Sequence, residues 1–266
     1  MIVWKRHPTP VALILVLALS SSLCASDLED VKRRGVLTML SFPHEANQFI
    51  TVRNGEYWGL DHEILRTFAA ANDIELRVQR VPKFADLIPW LLEGKGDVIA
   101  SSFSITEERK QRVDFSDSYF PVRIMVVGRK GASVPDVSTL TSAKLSAVPG
   151  SSLDAFVRKR IPSATIVPVE KTPDVYRMIL AGKADFAPVD STSAMTDLLD
   201  FPELETVFTF PDRMGYGFAV TRGSDIGPSL SEHIRKLRSS GILYQQLERY
   251  LGPAVLKIVK AADAEK

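Results

Sequence analysis

One nine-residue unit occurs twice in this chain, as Trp90-Leu91-Leu92-Glu93-Gly94-Lys95-Gly96-Asp97-Val98 and as Met178-Ile179-Leu180-Ala181-Gly182-Lys183-Ala184-Asp185-Phe186. Each copy reads as a helix end, a glycine cap, a tight turn and the start of an apolar strand. A single Gly-Lys-x-Asp is a common helix-to-strand connection. Two copies about 90 residues apart imply two similar lobes. The surrounding pattern alternates short apolar runs with amphipathic stretches, which is how an α/β chain with mostly parallel strands reads. Strands are expected at 36–40, 74–78 and 98–100, and helices at 61–71 and 84–92, the latter stopped by Gly94. Thr172-Pro173-Asp174 supplies an N-cap, a proline at the first helical position and an acidic first turn. Late in the chain, 217–221 reads as a strand and 229–251 as helical segments broken at Gly241 and ending before Gly252-Pro253. Two crossovers, near 120–123 and 212–216, would return this last part to the first lobe. The expected division is 26–122 and 217–261 for the first lobe, 123–216 for the second, and a tail at 262–266.

The first residues bear on the compartment. Lys5 and Arg6 precede an apolar run over 11–19, followed by Ser20, Ser21, Ser22 and Ala25, the layout of a cleavable secretory signal peptide over 1–25. The run is shorter than the roughly 20 residues of a spanning helix. Cys24 is the sole cysteine, so the mature chain would form no internal disulfide, and Leu23 before it is the wrong residue for a lipid-anchor signal. Losing Lys5 and Arg6 brings the 33 basic residues close to the 32 acidic ones, so the mature protein is nearly neutral and unsuited to a phosphate backbone. There is no Gly-x-Ser-x-Gly and no P-loop, and the four histidines are scattered, which speaks against hydrolase, nucleotide and zinc chemistry; neither a metal nor a cofactor is expected.

Ligands of open α/β sheets collect at the carboxyl ends of strands. Five residues past Asp97 stands Ser102, and five past Asp185 stands Asp190. In the first lobe the chain continues through Ser104 and Thr106 to Arg109, offering hydroxyls, a helix start and a guanidinium that together would hold a carboxylate. The alternative is a plain surface helix capped by Thr106, with Arg109 paired to Asp114. In the second lobe Gly150-Ser151-Ser152 opens a helix, and Asp190 would either accept from a cation or cap the helix that follows it. Together these groups suit a zwitterion, its carboxylate on Arg109 and its ammonium on Asp190.

These residues resemble the family 3 bacterial extracellular solute-binding proteins, the polar amino-acid receptors of ABC importers. The resemblance is carried by Gly59-Leu60-Asp61-His62-Glu63, Phe84-Ala85-Asp86-Leu87-Ile88-Pro89, the run from Asp97 to Arg109, Val113-Asp114-Phe115-Ser116, Gly150-Ser151-Ser152 and Tyr216-Gly217-Phe218-Ala219-Val220. It implies a two-lobed periplasmic binding protein type II fold, two α/β lobes joined by two hinge strands. It also implies Ser102, Ser104 and Arg109 as the carboxylate site, Ser152 as its partner across the cleft, Asp190 as the ammonium acceptor and Phe84 as an aromatic wall. Phe42 would meet the ligand where receptors for basic amino acids carry an acid, and Glu45 stands in an atypical loop after the first strand. Pro188 suggests that its strand ends before Asp190. The implied protein is a periplasmic monomer that takes a small amino-acid-like ligand, hands it to an ABC transporter permease, binds no nucleic acid and performs no chemistry. The rival readings are a dehydratase-like enzyme acting on a cyclic acid, with Glu45 as general acid, and a ligand sensor for a membrane receptor.

Overall fold

Gly94 and Gly182 end their helices in the left-handed region, at φ +71 and +68, and in both places the chain drops directly into a strand. The aspartate three residues on does the same work twice. Asp97 accepts the N–H of Thr38 at 2.8 Å, and Asp185 accepts the N–H of Lys144 at 2.8 Å. Each aspartate also donates its own N–H back to the same residue's carbonyl, again at 2.8 Å. The repeated motif is therefore a clamp between a helix-to-strand turn and the neighbouring strand.

The computed structural model describes residues 27–42 and 48–264. Its strands are β1 (Val36–Ser41), β2 (Thr51–Arg53), β3 (Glu56–Trp58), β4 (Glu75–Arg80), β5 (Val98–Ile99), β6 (Asp114–Phe115), β7 (Phe120–Arg129), β8 (Lys144–Ala147), β9 (Thr165–Pro168), β10 (Ala187–Asp190), β11 (Leu204–Tyr216) and β12 (Ala219–Val220). One sheet runs β4-β1-β5-β12-β6, with β1 parallel to β4 and β5, and β12 antiparallel to β5 and β6. The other lobe repeats the succession: β9 and β8 are parallel, a parallel bridge from Leu145 to Phe186 lays β8 beside the start of β10, and β10-β7-β11 continues antiparallel. β2 and β3 form a separate hairpin.

The first sheet is covered on both faces. Along β1, Leu37 and Met39 enter one apolar cluster and Leu40 the opposite one; along β5, Val98 and Ile99 divide in the same way. The helix Leu60–Ala71 buries Leu60, Ile64, Leu65, Phe68 and Ala69 at helical spacing into the first cluster. Burial of Phe68 alone contributes about 1.5–3 kcal/mol. Into the same cluster come Ile226, Leu230 and Ile234 of the helix Ile226–Ser239 and Leu243 and Leu247 of the helix Ile242–Leu251, so the end of the chain shares the core of its beginning. Between the lobes the chain passes twice, into β7 and out of β11, and these two pair side by side from Tyr216 opposite Phe120 to Leu204 opposite Arg129.

Gly59 fixes one wall of the cleft. At φ +132 it lies where a Cβ would come within 2.4 Å of the Phe49 carbonyl. That approach allows the N–H groups of Leu60 and Asp61 to bond to the carbonyls of Gln48 and Phe49, at 3.0 and 2.9 Å.

Three local expectations are corrected. The strand holding Pro188 does not stop early: Pro188 pairs opposite Val126, and β10 continues to Asp190. The bridge to β8 stops at Phe186, so at Pro188 the strand pairs only with β7 and a missing N–H is tolerated. The helical region does not end at Gly252-Pro253; Gly252 breaks it, and Pro253 opens a further helix, Pro253–Ala264, at the position proline favours. Phe84 starts a 3-10 turn, Phe84–Asp86, with the α-helix confined to Leu87–Leu92. No helix among the described residues is long and apolar enough to cross a membrane. The leader at 1–25, Cys24 and Glu45 lie outside the described residues.

Candidate functional site

A cavity of about 130 Å³ lies between the lobes, and both strand-end regions face it. From the first lobe come Phe84, Ser102 and Ser104; from the second come Ser152 and Asp190. Apolar walls are supplied by Phe49, Leu153, Val175 and Met214, with hydroxyl and carboxylate side chains set among them, a mixed lining that suits a small ligand with polar ends.

The walls already touch. The Ser152 hydroxyl donates to the Ser104 hydroxyl at 3.1 Å across the cleft. Gly150, at φ +74, faces Ala85 so closely that a Cβ on it would lie 2.9 Å from the Ala85 methyl. Gly150→Val should therefore hold the lobes apart. Left-handed strain of about 1–2 kcal/mol acts in every state, whereas the clash with Ala85 acts only when the cleft is closed. The expected outcome is an affinity loss of about tenfold in calorimetry, with a larger radius of gyration in the presence of ligand than the parent shows.

On the second-lobe side, Asp190 ends β10 and caps the helix Ser191–Asp197, accepting the Ser193 N–H at 2.8 Å through one oxygen and the Ser193 hydroxyl at 3.2 Å through the other. Tyr216, at the end of β11, also bonds its hydroxyl to Asp190; burial first, then that carboxylate, holds the phenol well above its ordinary pKa. Cap and cavity wall are thus the same residue, and the two readings of Asp190 from sequence do not exclude one another. A second carboxylate, Asp197, lines the cavity one helix length away. Burial pushes it up to about 6, with Asp190 adding its charge, against hydrogen bonds from Thr196 and Tyr176.

Arg109 does not line the cavity. It lies behind two residues that do, donating to the Ser104 carbonyl at 2.8 Å, with its guanidinium 3.9 Å from the centre of the Phe103 ring and 5.5 Å from that of Phe84. The residue is only 7% exposed. Burial pulls its pKa down to about 10. It forms no ion pair among the described residues, and the Asp114 carboxylate, its alternative partner, accepts instead from the Gly223 N–H at 2.7 Å. Thr106 does cap the short helix Glu107–Lys110, and it accepts the N–H of Arg109 itself. That amide is spent. Around Gly150 the amides are similarly committed, Gly150 to Asp154, Asp154 to Ser151 and Ser151 to Val148.

Phe42 lies beside the cavity and not in it. It packs edge-on against Phe84 at 6.0 Å between ring centres and lines an adjoining, wider cavity of about 900 Å³ that shares Phe84, Val148 and Pro173 with the first. The sequence reading missed Asp197 and Tyr216 as wall residues. It also missed the fully buried Asp61, which takes the Ser102 N–H at 2.8 Å.

Comparison with known proteins adds the following. Residues 42–253 match the bacterial extracellular solute-binding proteins, family 3. The membrane-bound lytic murein transglycosylase F of Pseudomonas fluorescens is 29% identical over 85% of this chain and 48% of its own length. The ABC transporter glutamine-binding protein GlnH of Bacillus subtilis is 30% identical over 71% of this chain and 70% of its own. Among solved structures, an arginine-bound mutant of ArgBP from T. maritima superposes with a TM-score of 0.71 at 29% identity, covering 79% of this chain and 99% of that one. The chain spans about half the length of the transglycosylases it matches.

Proposed function

The chain belongs to the bacterial extracellular solute-binding proteins, family 3, and has their two-lobed type II fold; from that premise we propose that it captures an α-amino acid between its lobes for an ABC-type importer and performs no chemistry on it. One observation carries this reading: a buried guanidinium without an ion pair stands behind the first-lobe wall of a cavity whose second-lobe wall carries the Asp190 carboxylate. A buried charge is costly unless paired. A ligand carboxylate at Ser102, Ser104 and Arg109 supplies the missing anion, using guanidinium donors beyond the one given to the Ser104 carbonyl. The ligand ammonium then meets Asp190, and Ser152 closes over it. Both lobes gain contacts only in the closed state, which is how the ligand favours closure. Charge-assisted hydrogen bonds contribute about 1.5–3 kcal/mol each against a cost of association of about 4–15 kcal/mol, which leaves an affinity of roughly micromolar order. Export by a cleaved leader and delivery to a membrane permease complete the reading.

A melting-temperature screen of the protein against amino acids, amines, sugars and cyclic acids tests it. At a hundredfold excess over the dissociation constant a ligand of the folded state adds about 2.7 kcal/mol, or roughly 5–10 °C for a chain of this size. Amino acids should give that shift. A response to sugars alone, no response at all, or turnover of a cyclic acid such as prephenate would overturn it. The likeness to transglycosylase F favours a second reading, in which the same lobes sense the ligand and report it to a partner; the two separate on whether the loaded protein drives uptake through a reconstituted permease.

A further inference from the structure

The cleft's polar wall is anchored from behind. Ser102 lines the cavity with its backbone in the left-handed region, at φ +48, a conformation only Asn54 and Asp73 share among the non-glycine described residues. A serine holds that conformation only where its surroundings impose it. One group that holds it there is Asp61, in the first turn of the helix Leu60–Ala71 and fully buried. One carboxylate oxygen accepts the Ser102 N–H at 2.8 Å, and the other accepts the Tyr119 hydroxyl at 2.5 Å. Tyr119 stands immediately before β7. It stacks on Phe218 at 4.7 Å and donates its N–H to the carbonyl of Tyr216, the last residue of β11. Asp61 thus connects a ligand-facing turn to both strands on which the lobes are hung.

We propose that Asp61 is a positioning residue of the ligand site, holding the Ser102 turn in its binding conformation with one oxygen and fastening that turn to the interlobe strands through Tyr119 with the other. The inference rests on the reading of the cavity as an amino-acid site. As a carboxylate Asp61 accepts from both donors; protonated, one oxygen becomes a donor and the Tyr119 hydroxyl loses its acceptor. Burial pushes the Asp61 pKa up to about 7, the two hydrogen bonds opposing. The ionisable groups facing it are Tyr119 and, beyond it, Tyr216, both held well above 10 and so neutral throughout. His62 on the same helix and His233 on the helix packed against it have their values lowered by burial, away from the Asp61 value. Asp197, on the second-lobe wall of the cavity, titrates lower, at about 6, so the Asp61 step is identified as the one that the Asp61→Asn variant loses.

Binding and stability should therefore move in opposite directions. A carboxylate whose folded pKa is raised disfavours the fold as pH climbs from its unfolded value, about 4, through 7, because the buried group must ionise. The same ionisation restores the Tyr119 bond that fastens the Ser102 turn to the interlobe strands. Affinity for the best amino acid of the melting screen should rise about tenfold between pH 5.5 and 8 in the parent. Asp61→Asn should bind about tenfold more weakly than the parent at pH 8, lack the parent's step near pH 7, and melt at a higher temperature than the parent at that pH. Tyr119→Phe removes a bond that lowers the Asp61 pKa, so it should move the midpoint of the affinity profile upward; it serves as the test if the asparagine variant does not fold. Equal affinity of parent and Asp61→Asn at pH 8, a parallel loss of affinity and melting temperature, or an unmoved midpoint in Tyr119→Phe would each overturn the inference. Absence of any amino-acid binding by the parent would instead defeat the reading on which it rests.

Discussion

Arg109→Met is expected to remove ligand binding while leaving the unliganded protein as stable as the parent or more so. Removing one member of a buried charge pair costs about 3–5 kcal/mol, which lowers affinity by more than a hundredfold. The stability change has the opposite sign. The guanidinium pKa is pulled from its ordinary value down to about 10 by burial, so the charged form is disfavoured in the folded state by about 3 kcal/mol. For a cation lowered in this way the penalty is in full force below pH about 10 and fades as pH rises from there towards the unfolded value. The Ser104 carbonyl bond and the Phe103 contact offset part of it, and methionine refills the space with an apolar chain. The melting temperature without ligand should hold or rise, and the calorimetric signal should vanish. A protein that keeps its affinity after this change has its carboxylate site elsewhere.

Asp190→Asn carries the second large effect. Asparagine caps a helix as well as aspartate does, and its carbonyl can still take the Ser193 N–H, now 2.8 Å from the carboxylate. The fold should be spared. On the proposed reading what goes is the negative charge that meets the ligand ammonium, a loss of about 3 kcal/mol for a hydrogen-bonded ionic contact, or roughly a hundredfold in affinity. Discrimination should go with it: the variant should bind the deaminated acid as well as the amino acid. A variant that still prefers the amino acid places the ammonium against another acceptor, and Asp197 would be the first to substitute.

Much of this architecture is legible in the sequence because it is local. Gly94 and Gly182 sit at helix ends where only a left-handed residue fits, and Asp97 and Asp185 follow at a fixed distance because each clamps one adjacent strand. Counting five residues on from each aspartate reaches Ser102 and Asp190, which share a cavity because the two lobes repeat one strand succession. The long-range partnerships are what the sequence hides. Asp61 reads as an ordinary acid in a first helical turn, since nothing nearby in the chain announces Ser102 or Tyr119, 41 and 58 residues away. Asp197 reads as a helix-end acid, and its place in the cavity depends on Tyr176 in another helix. The motif around Arg109 indicates a cation near the first-lobe wall but not where its long side chain lies, which is behind Ser104. Gly252-Pro253 reads as a terminator, yet the same proline suits the first position of a new helix as well as it ends an old one.

The proposal that Arg109, behind the first-lobe wall, and Asp190, on the second-lobe wall, hold the two poles of one ligand is most directly tested by calorimetry with three matched compounds: the best amino acid of the melting screen, its decarboxylated amine and its deaminated acid. The account predicts that the amino acid binds with roughly micromolar affinity and that each truncated compound, having lost one pole, binds at least about a hundredfold more weakly. Comparable affinity for either truncated compound would contradict it, because the guest would then be held by one pole alone.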